Sequence, residues 1–214
     1  MKTDELAALL ANDAGAVAPD ATARRFTAAL GWGLCGTALA MAIVMGVRPD
    51  IAEAVTLPMF WMKLAFPASI AIAACYAAAR LARPGVRLGR APGTALAALL
   101  ATVWMLAIAA LLNAAPAERS DLVFGDTWRY CLVNIPLLSI PVFGAAMWAL
   151  KGLAPTRLAL AGGAAGLLAG AVSAAVYSLH CPEMELPFLA VWYLLGMLVP
   201  AIAGAVTGPR LLRW

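Results

Sequence analysis

Polar and apolar positions alternate along this chain on a long period. Six apolar stretches stand out, at about 26–47, 56–79, 92–115, 130–150, 158–179 and 186–206, separated by short polar gaps. Each is close to the ~20 residues a helix needs to cross a hydrocarbon layer. Helix is the natural form for such segments, because backbone groups in lipid must be paired within the segment. The pattern predicts an all-α, polytopic membrane protein with six transmembrane helices over residues 26–214, preceded by a polar tail at 1–25. Within the tail, "TDELAALLA" predicts a short helix. Thr3 suits its cap, Asp4 and Glu5 suit the positive end of its dipole, and Leu6, Leu9 and Leu10 share one face. So short a helix is marginal alone in water and implies docking. Its acids disfavour an anionic membrane surface, so a protein partner is the expected dock. Ala18–Ala23, around Pro19, reads as a linker.

Composition agrees with the pattern. The chain is 64% hydrophobic and 12% charged, against about half and about a quarter in soluble domains. The net charge of +4 does not predict nucleic-acid binding, since no basic run is interleaved with aromatics. Its distribution carries the information. Lys2, Arg24, Arg25, Arg80, Arg83, Arg87, Arg90, Lys151, Arg157, Arg210 and Arg213 fall at the end of the bundle that bears the tail. Arg48, Arg119 and Arg129 fall at the other end, with Lys63 near that boundary. The positive-inside rule then predicts an N-in, C-in topology with a cytoplasmic tail. The first 25 residues lack the apolar core of a signal peptide and are expected to stay attached.

The spans hold no Asp, Glu, His or Arg away from their ends. Transporters and proton pumps generally carry such groups inside their spans. Lys63 is the sole candidate, and its shallow position predicts a side chain that snorkels outward. Gly162, Gly166 and Gly170 recur every fourth residue, which leaves one face of the fifth helix nearly bare for close packing. Pro136, Pro141 and Pro200 are expected to bend their helices and free carbonyls, one of which Asn134 is placed to satisfy.

Chemistry concentrates in the gap "YSLHCPEMELPF", residues 177–188, which holds the sole histidine, His180, beside Cys181, Glu183 and Glu185. Of the four cysteines, Cys35 and Cys75 read as small packing residues. The six-span topology puts Cys131, in "DTWRYCLVN", and Cys181 at the same membrane face and at similar depth. Three readings stay open for this pair: a structural disulfide, a soft-metal or redox sensor reachable from the lipid–water boundary, or coincidence. In the sensor reading Cys131 and Cys181 supply two thiolates, and His180 or Glu183 a third ligand. Catalytic disulfide exchange is disfavoured by the missing C-x-x-C pair.

Together "MKTDELAALLA", the six spans, "WRYCLVNIPLLSIP" and "LHCPEMELPFLAVWYLLGM" resemble the NrsF family over essentially the whole chain. The resemblance implies a bacterial inner-membrane anti-sigma factor, not an enzyme. Its partner would be a sigma-F-type extracytoplasmic-function sigma factor, held at the cytoplasmic side and released under heavy-metal or oxidative stress. It matches Cys131 and Cys181 to the family's sensing pair. The docking surface is then expected on Leu6, Leu9 and Leu10, with Arg80, Arg83, Arg87 and Arg90 as a candidate second contact. No constitutive cofactor and no direct nucleic-acid contact are expected, and a soft metal ion enters only as a signal. The rival classes are a small transporter or channel, which solute uptake would reveal, and a membrane thiol oxidoreductase, which quinone-dependent dithiol oxidation would reveal. Reporter fusions test the topology: fusions after Arg87 and Trp214 should read as cytoplasmic, and those near Asp121 and Glu183 as external.

Overall fold

The computed structural model describes residues 3–13, 20–86 and 89–213. Arg87, and the side chains of Leu6, Leu9 and Leu10, lie outside the described residues. The described chain is all-helical. A short helix α1 (Thr3–Asp13) occupies the tail. Six helical segments are long and apolar enough to cross a membrane: Thr22–Val44, Pro58–Leu81, Ala91–Asn113, Arg119–Lys151, Leu158–Tyr177 and Leu186–Leu211. The first lies in α2 (Ala21–Val44), and the second and third are α4 (Pro58–Leu81) and α5 (Ala91–Asn113). The fourth divides into α6 (Arg119–Phe124) and α7 (Trp128–Lys151), and the fifth is α8 (Leu158–Tyr177). The sixth opens with a short turn α9 (Leu186–Phe188), passes through a π turn at Leu189–Tyr193 and continues as α10 (Leu194–Leu211). One more turn, α3 (Ile51–Ala54), lies between α2 and α4.

Several boundaries depart from the hydropathy reading. The first span ends at Val44 rather than 47, because Gly46 adopts a left-handed φ of 76° and its N–H closes on the Met41 carbonyl at 3.0 Å. Arg48 is thereby released from the helix into a turn. At the other end α2 already includes Ala21–Ala23, which were expected in the linker Ala18–Ala23, while Ala18 and Pro19 lie outside the described residues. The fourth span breaks at Gly125, whose φ of 50° favours glycine.

Helix α8 is the axis of the bundle. It packs along α10, α4 and α7, and α7 in turn packs on α2. The four-residue glycine repeat explains the closest of these contacts. A Cβ at Gly162 would meet the backbone of Gly204 and Gly208, one at Gly166 the Pro200 carbonyl, and one at Gly170 the backbone of Met197. The two helices therefore touch through main chain, the packing that small residues permit in lipid. Helix α5 is the opposite case: it is the most apolar span, yet almost wholly unburied. With Met105 at 72% and Leu112 at 71% exposure, its surface suits lipid rather than water.

Pro136 and Pro141 lie inside α7. Hydroxyl groups donate to carbonyls around them: Ser173 to Ile135 at 2.6 Å, Thr37 to Leu138 at 2.9 Å and Ser139 to Pro136 at 2.7 Å. Asn134, expected in that role, instead meets the Tyr177 hydroxyl. At the tail end of α7, the Arg25 guanidinium stacks on Trp148 at 4.4 Å and fills the space beside Gly152. This cation–π contact ties the root of the tail to α7.

The glycine interface yields a direct check. Gly166→Ala should lower stability by about 1–3 kcal/mol, because backbone atoms cannot step aside for the added methyl. Gly144 faces open space, so Gly144→Ala should stay within about 0.5 kcal/mol of the parent. Denaturant unfolding in detergent micelles measures both.

Candidate functional site

The end of the bundle opposite the tail carries the chemistry. Helix α8 runs out at Tyr177, and the chain crosses from Ser178 to Glu185 before α9 begins. Three elements hold this crossing. From the turn after α2, the Gly46 carbonyl lies 2.9 Å from His180 Nδ1, and the Arg48 N–H donates to the Leu179 carbonyl at 3.0 Å. The Arg48 guanidinium is clamped on both Asp50 oxygens at 2.7 and 2.6 Å and reaches the Cys181 and Pro182 carbonyls at 3.4 Å. That hydrogen-bonded pair raises the Arg48 pKa and lowers that of Asp50. From α4, Lys63 Nζ donates to the carbonyls of Cys181 and Glu183, each at 2.6 Å, over the Tyr193 ring at 5.5 Å. From the α6–α7 turn, the Asp126 N–H and the Thr127 hydroxyl donate to the Glu183 carboxylate at 2.9 and 3.2 Å.

Lys63 corrects the sequence reading. It does not snorkel outward; its side chain is fully buried. The ammonium turns inward because the crossing offers two carbonyls at the depth where a shallow helical lysine ends. Hydropathy alone could not show that, since the acceptors belong to residues 118 and 120 positions away.

The crossing delivers Cys181 to Cys131. Cys131 sits in the first turn of α7, and the two sulfurs lie 4.0 Å apart. Both are free thiols and both are 0% exposed. The Tyr177 hydroxyl lies 3.8 Å from Cys131 Sγ, and the Thr127 hydroxyl 3.9 Å from Cys181 Sγ. Tyr193 closes the pocket, its buried hydroxyl turned toward Ser178 and Cys181. The thiols were expected to stand open at the lipid–water boundary. They are instead sealed beneath the crossing, so a reagent reaches them only when it lifts. Cys181, outside the spans, is held below the ordinary thiol range by its hydrogen bond with Cys131, and further by the Lys63 charge, against the effect of burial.

The predicted ligand set is only partly assembled. Cys131 and Cys181 meet, while His180 turns to Gly46 and Glu183 to Asp126 and Thr127. Among the described residues no three His, Cys, Asp or Glu side chains gather as a metal site. Two sulfurs alone suit a soft cation of low coordination number or a disulfide. Cys35 is exposed on α2 and Cys75 is half-buried on α4, both away from the pair. At the tail end Arg83 and Arg90 are exposed, and Arg80 lies over the Tyr76 ring at 5.7 Å.

Three features of the site escaped the sequence reading. Gly125 is required twice, for its positive φ and because a Cβ there would strike the Glu183 carboxylate. The Gly-Asp pair at 125–126 is a turn signal that was available. The π turn at Leu189–Tyr193 aims Trp192 Nε1 at the Val123 carbonyl, 2.8 Å away, and buries Tyr193 against the crossing. Such turns are frequent at functional sites but have no reliable residue signature. Asp50 as the clamp on Arg48 depended on α2 ending early.

Comparison with known proteins agrees with this architecture. No solved structure matches the chain. A probable anti-sigma-F factor NrsF from Azospira oryzae is 49% identical over 214 residues, covering all of both chains. The anti-sigma-F factor NrsF of Caulobacter vibrioides is 39% identical over 218 residues, again covering both chains. The family described as negative regulator of sigma F matches residues 10–214. A whole-chain match of that extent, on a six-helix bundle with two free thiols brought together from separate elements, means that this chain belongs to the NrsF family.

Proposed function

We propose that this protein is an anti-sigma factor of a bacterial inner membrane. It holds a sigma-F-type extracytoplasmic-function sigma factor at its cytoplasmic face and lets it go when Cys131 and Cys181 are joined by oxidation or by a soft metal ion. The observation that carries the sensing half is the 4.0 Å approach of two buried free thiols from separate elements, α7 and the 178–185 crossing. The capturing half rests on the relatives' printed names and on the tail helix. The burial of Arg48 and Lys63 favours the N-in orientation. Both act as internal clamps, which leaves Arg119 and Arg129 as the exposed basic residues at the cysteine end.

Joining by oxidation is a two-electron step; joining by a soft cation only displaces the two thiol protons. With a hydroperoxide as oxidant, an S–S bond forms and the O–O bond breaks. Both thiol protons and two electrons pass to the oxidant, giving an alcohol and water. The sulfurs must close from 4.0 Å to about 2.05 Å. Helix α7 joins this site to the root of the tail, since Cys131 stands at one of its ends and Trp148, stacked on Arg25, near the other. Pro136 and Pro141, inside α7, are points where its two halves can tilt separately. Releasing most of the partner needs an affinity change of roughly 10²-fold or more, a few kcal/mol.

Two expected outcomes follow for capture and sensing. Leu6→Asp with Leu9→Asp should abolish co-purification of the sigma factor from detergent while the membrane bundle remains folded; retention at the parent level would move the binding surface to the loops. Cys131→Ser or Cys181→Ser should preserve capture and abolish the response of a sigma-dependent reporter to oxidant, and the double variant should be no worse than either single one. Cys35→Ser and Cys75→Ser should respond normally. If Cys131→Ser frees the sigma factor without any inducer, the pair is a brace of the holding state and not a sensor.

A further inference from the structure

We propose that Lys63 is the positioning residue of the thiol pair: it fastens the Cys181 crossing to α4, so that joining the thiols moves α4 and carries the signal through the bundle. This rests on reading the pair as the signal-responsive site.

The first support is the way Lys63 is held. Its ammonium is fully buried inside α4 and grips the carbonyls of Cys181 and Glu183 at 2.6 Å each. Among the described residues no carboxylate lies within ion-pair distance of it. The Glu183 carboxylate is turned away, to Asp126 and Thr127. A buried cation held by two carbonyls and an aromatic face cannot give them up without being stranded. The link is therefore stiff: where the crossing goes, the end of α4 follows.

The second support is which side must yield. Cys131 lies within a regular helix, whereas Cys181 stands at the end of the turn that closes α8, held there by its N–H on the Tyr177 carbonyl at 3.0 Å, and the extended residues 182–185 follow it. Closing the sulfurs to bonding distance falls mainly on Cys181, and its carbonyl, the atom Lys63 grips, moves with it. Arg48 touches the same carbonyl, but at 3.4 Å and from a turn tied locally to Asp50. Arg48 stands in the turn four residues past the end of α2 and can follow by adjustment of that turn, whereas Lys63 is part of its helix. Lys63 lies near one end of a helix that continues to Leu81. The distance from Lys63 to Arg80 along that helix is about 25 Å at 1.5 Å per residue. Beyond it come exposed Arg83 and Arg90 at the tail end. Helix α4 packs lengthwise on α8, so its motion is directed along a helix–helix interface.

The test uses the full chain in membrane vesicles with its captured sigma factor, and diamide as the probe. Diamide accepts the two electrons and two protons as the disulfide forms. Lys63→Met removes the donors at similar length. A mass-tag shift reads the Cys131–Cys181 disulfide, and co-sedimentation reads the bound sigma factor. In the parent, release should track disulfide formation. In Lys63→Met the disulfide should still form, but release at equal oxidation should fall at least tenfold, while Arg48→Gln keeps the parent coupling. Equal release from Lys63→Met at equal oxidation overturns the inference. A parent chain that oxidises without release overturns the sensing reading instead, and the inference with it. Should Lys63→Met fail to accumulate or to capture, hydrogen exchange on the parent decides. Oxidation should alter protection in residues 58–82 as well as 178–185, and a change confined to 178–185 overturns the inference.

Discussion

One buried ammonium organises the functional end of this molecule. Lys63 is fully buried within a span, and its acceptors are main-chain carbonyls of a segment that would otherwise be a surface loop. A charge so placed is costly unless its donors are matched, and that requirement folds the 178–185 crossing inward. Cys181 is then carried to Cys131, and the crossing seals both sulfurs from solvent. The Glu183 side chain is left to reach the α6–α7 turn, where Gly125 alone has room for it. A lone charge inside a span is ordinarily a sign of a transported ion or proton. Here it is accounted for by its hold on the crossing, which removes the one feature that favoured a transporter.

The rest of the bundle suits a signal that must cross a membrane without anything passing through. The α8–α10 contact is made through main chain and allows little adjustment. Helices α4 and α7 flank this rigid pair, and each has one end at the thiol site and the other at the tail end. Helix α7 carries two prolines whose neighbouring carbonyls are supported by hydroxyls from α2 and α8. Those bonds are local and exchangeable, so the helix can flex at its prolines without unfolding a span. A packed core of this kind favours discrete arrangements over gradual deformation, and a covalent link between helices is effective when two such arrangements lie close in energy.

The large features were legible because lipid imposes them. Six spans, the bare face at Gly162, Gly166 and Gly170, and the meeting of Cys131 with Cys181 all follow from span length, residue size and depth. What was not legible depended on where the chain folds back. The orientation of Lys63 was misread because hydropathy counts depth and is blind to a carbonyl more than a hundred residues away. The first span was read three residues long because Val47 is apolar, while Gly46 is what ends the helix. The π turn at Leu189–Tyr193 and the pairing of Gly125 with Glu183 are tertiary outcomes with weak local signals. The docking face at Leu6, Leu9 and Leu10 rests on spacing and resemblance, since those side chains lie outside the described residues.

The central claim is that joining two sealed thiols at one end of the bundle frees a protein held at the other. The most direct measurement follows both quantities in one sample: vesicles bearing the intact protein and its captured sigma factor are titrated with oxidant, and at each step the fraction of Cys131–Cys181 disulfide and the fraction of sigma factor still bound are determined. The account predicts that bound sigma factor falls in proportion as the disulfide forms, and that reduction restores capture. A preparation in which most of the chain carries the disulfide while the sigma factor stays fully bound would contradict it.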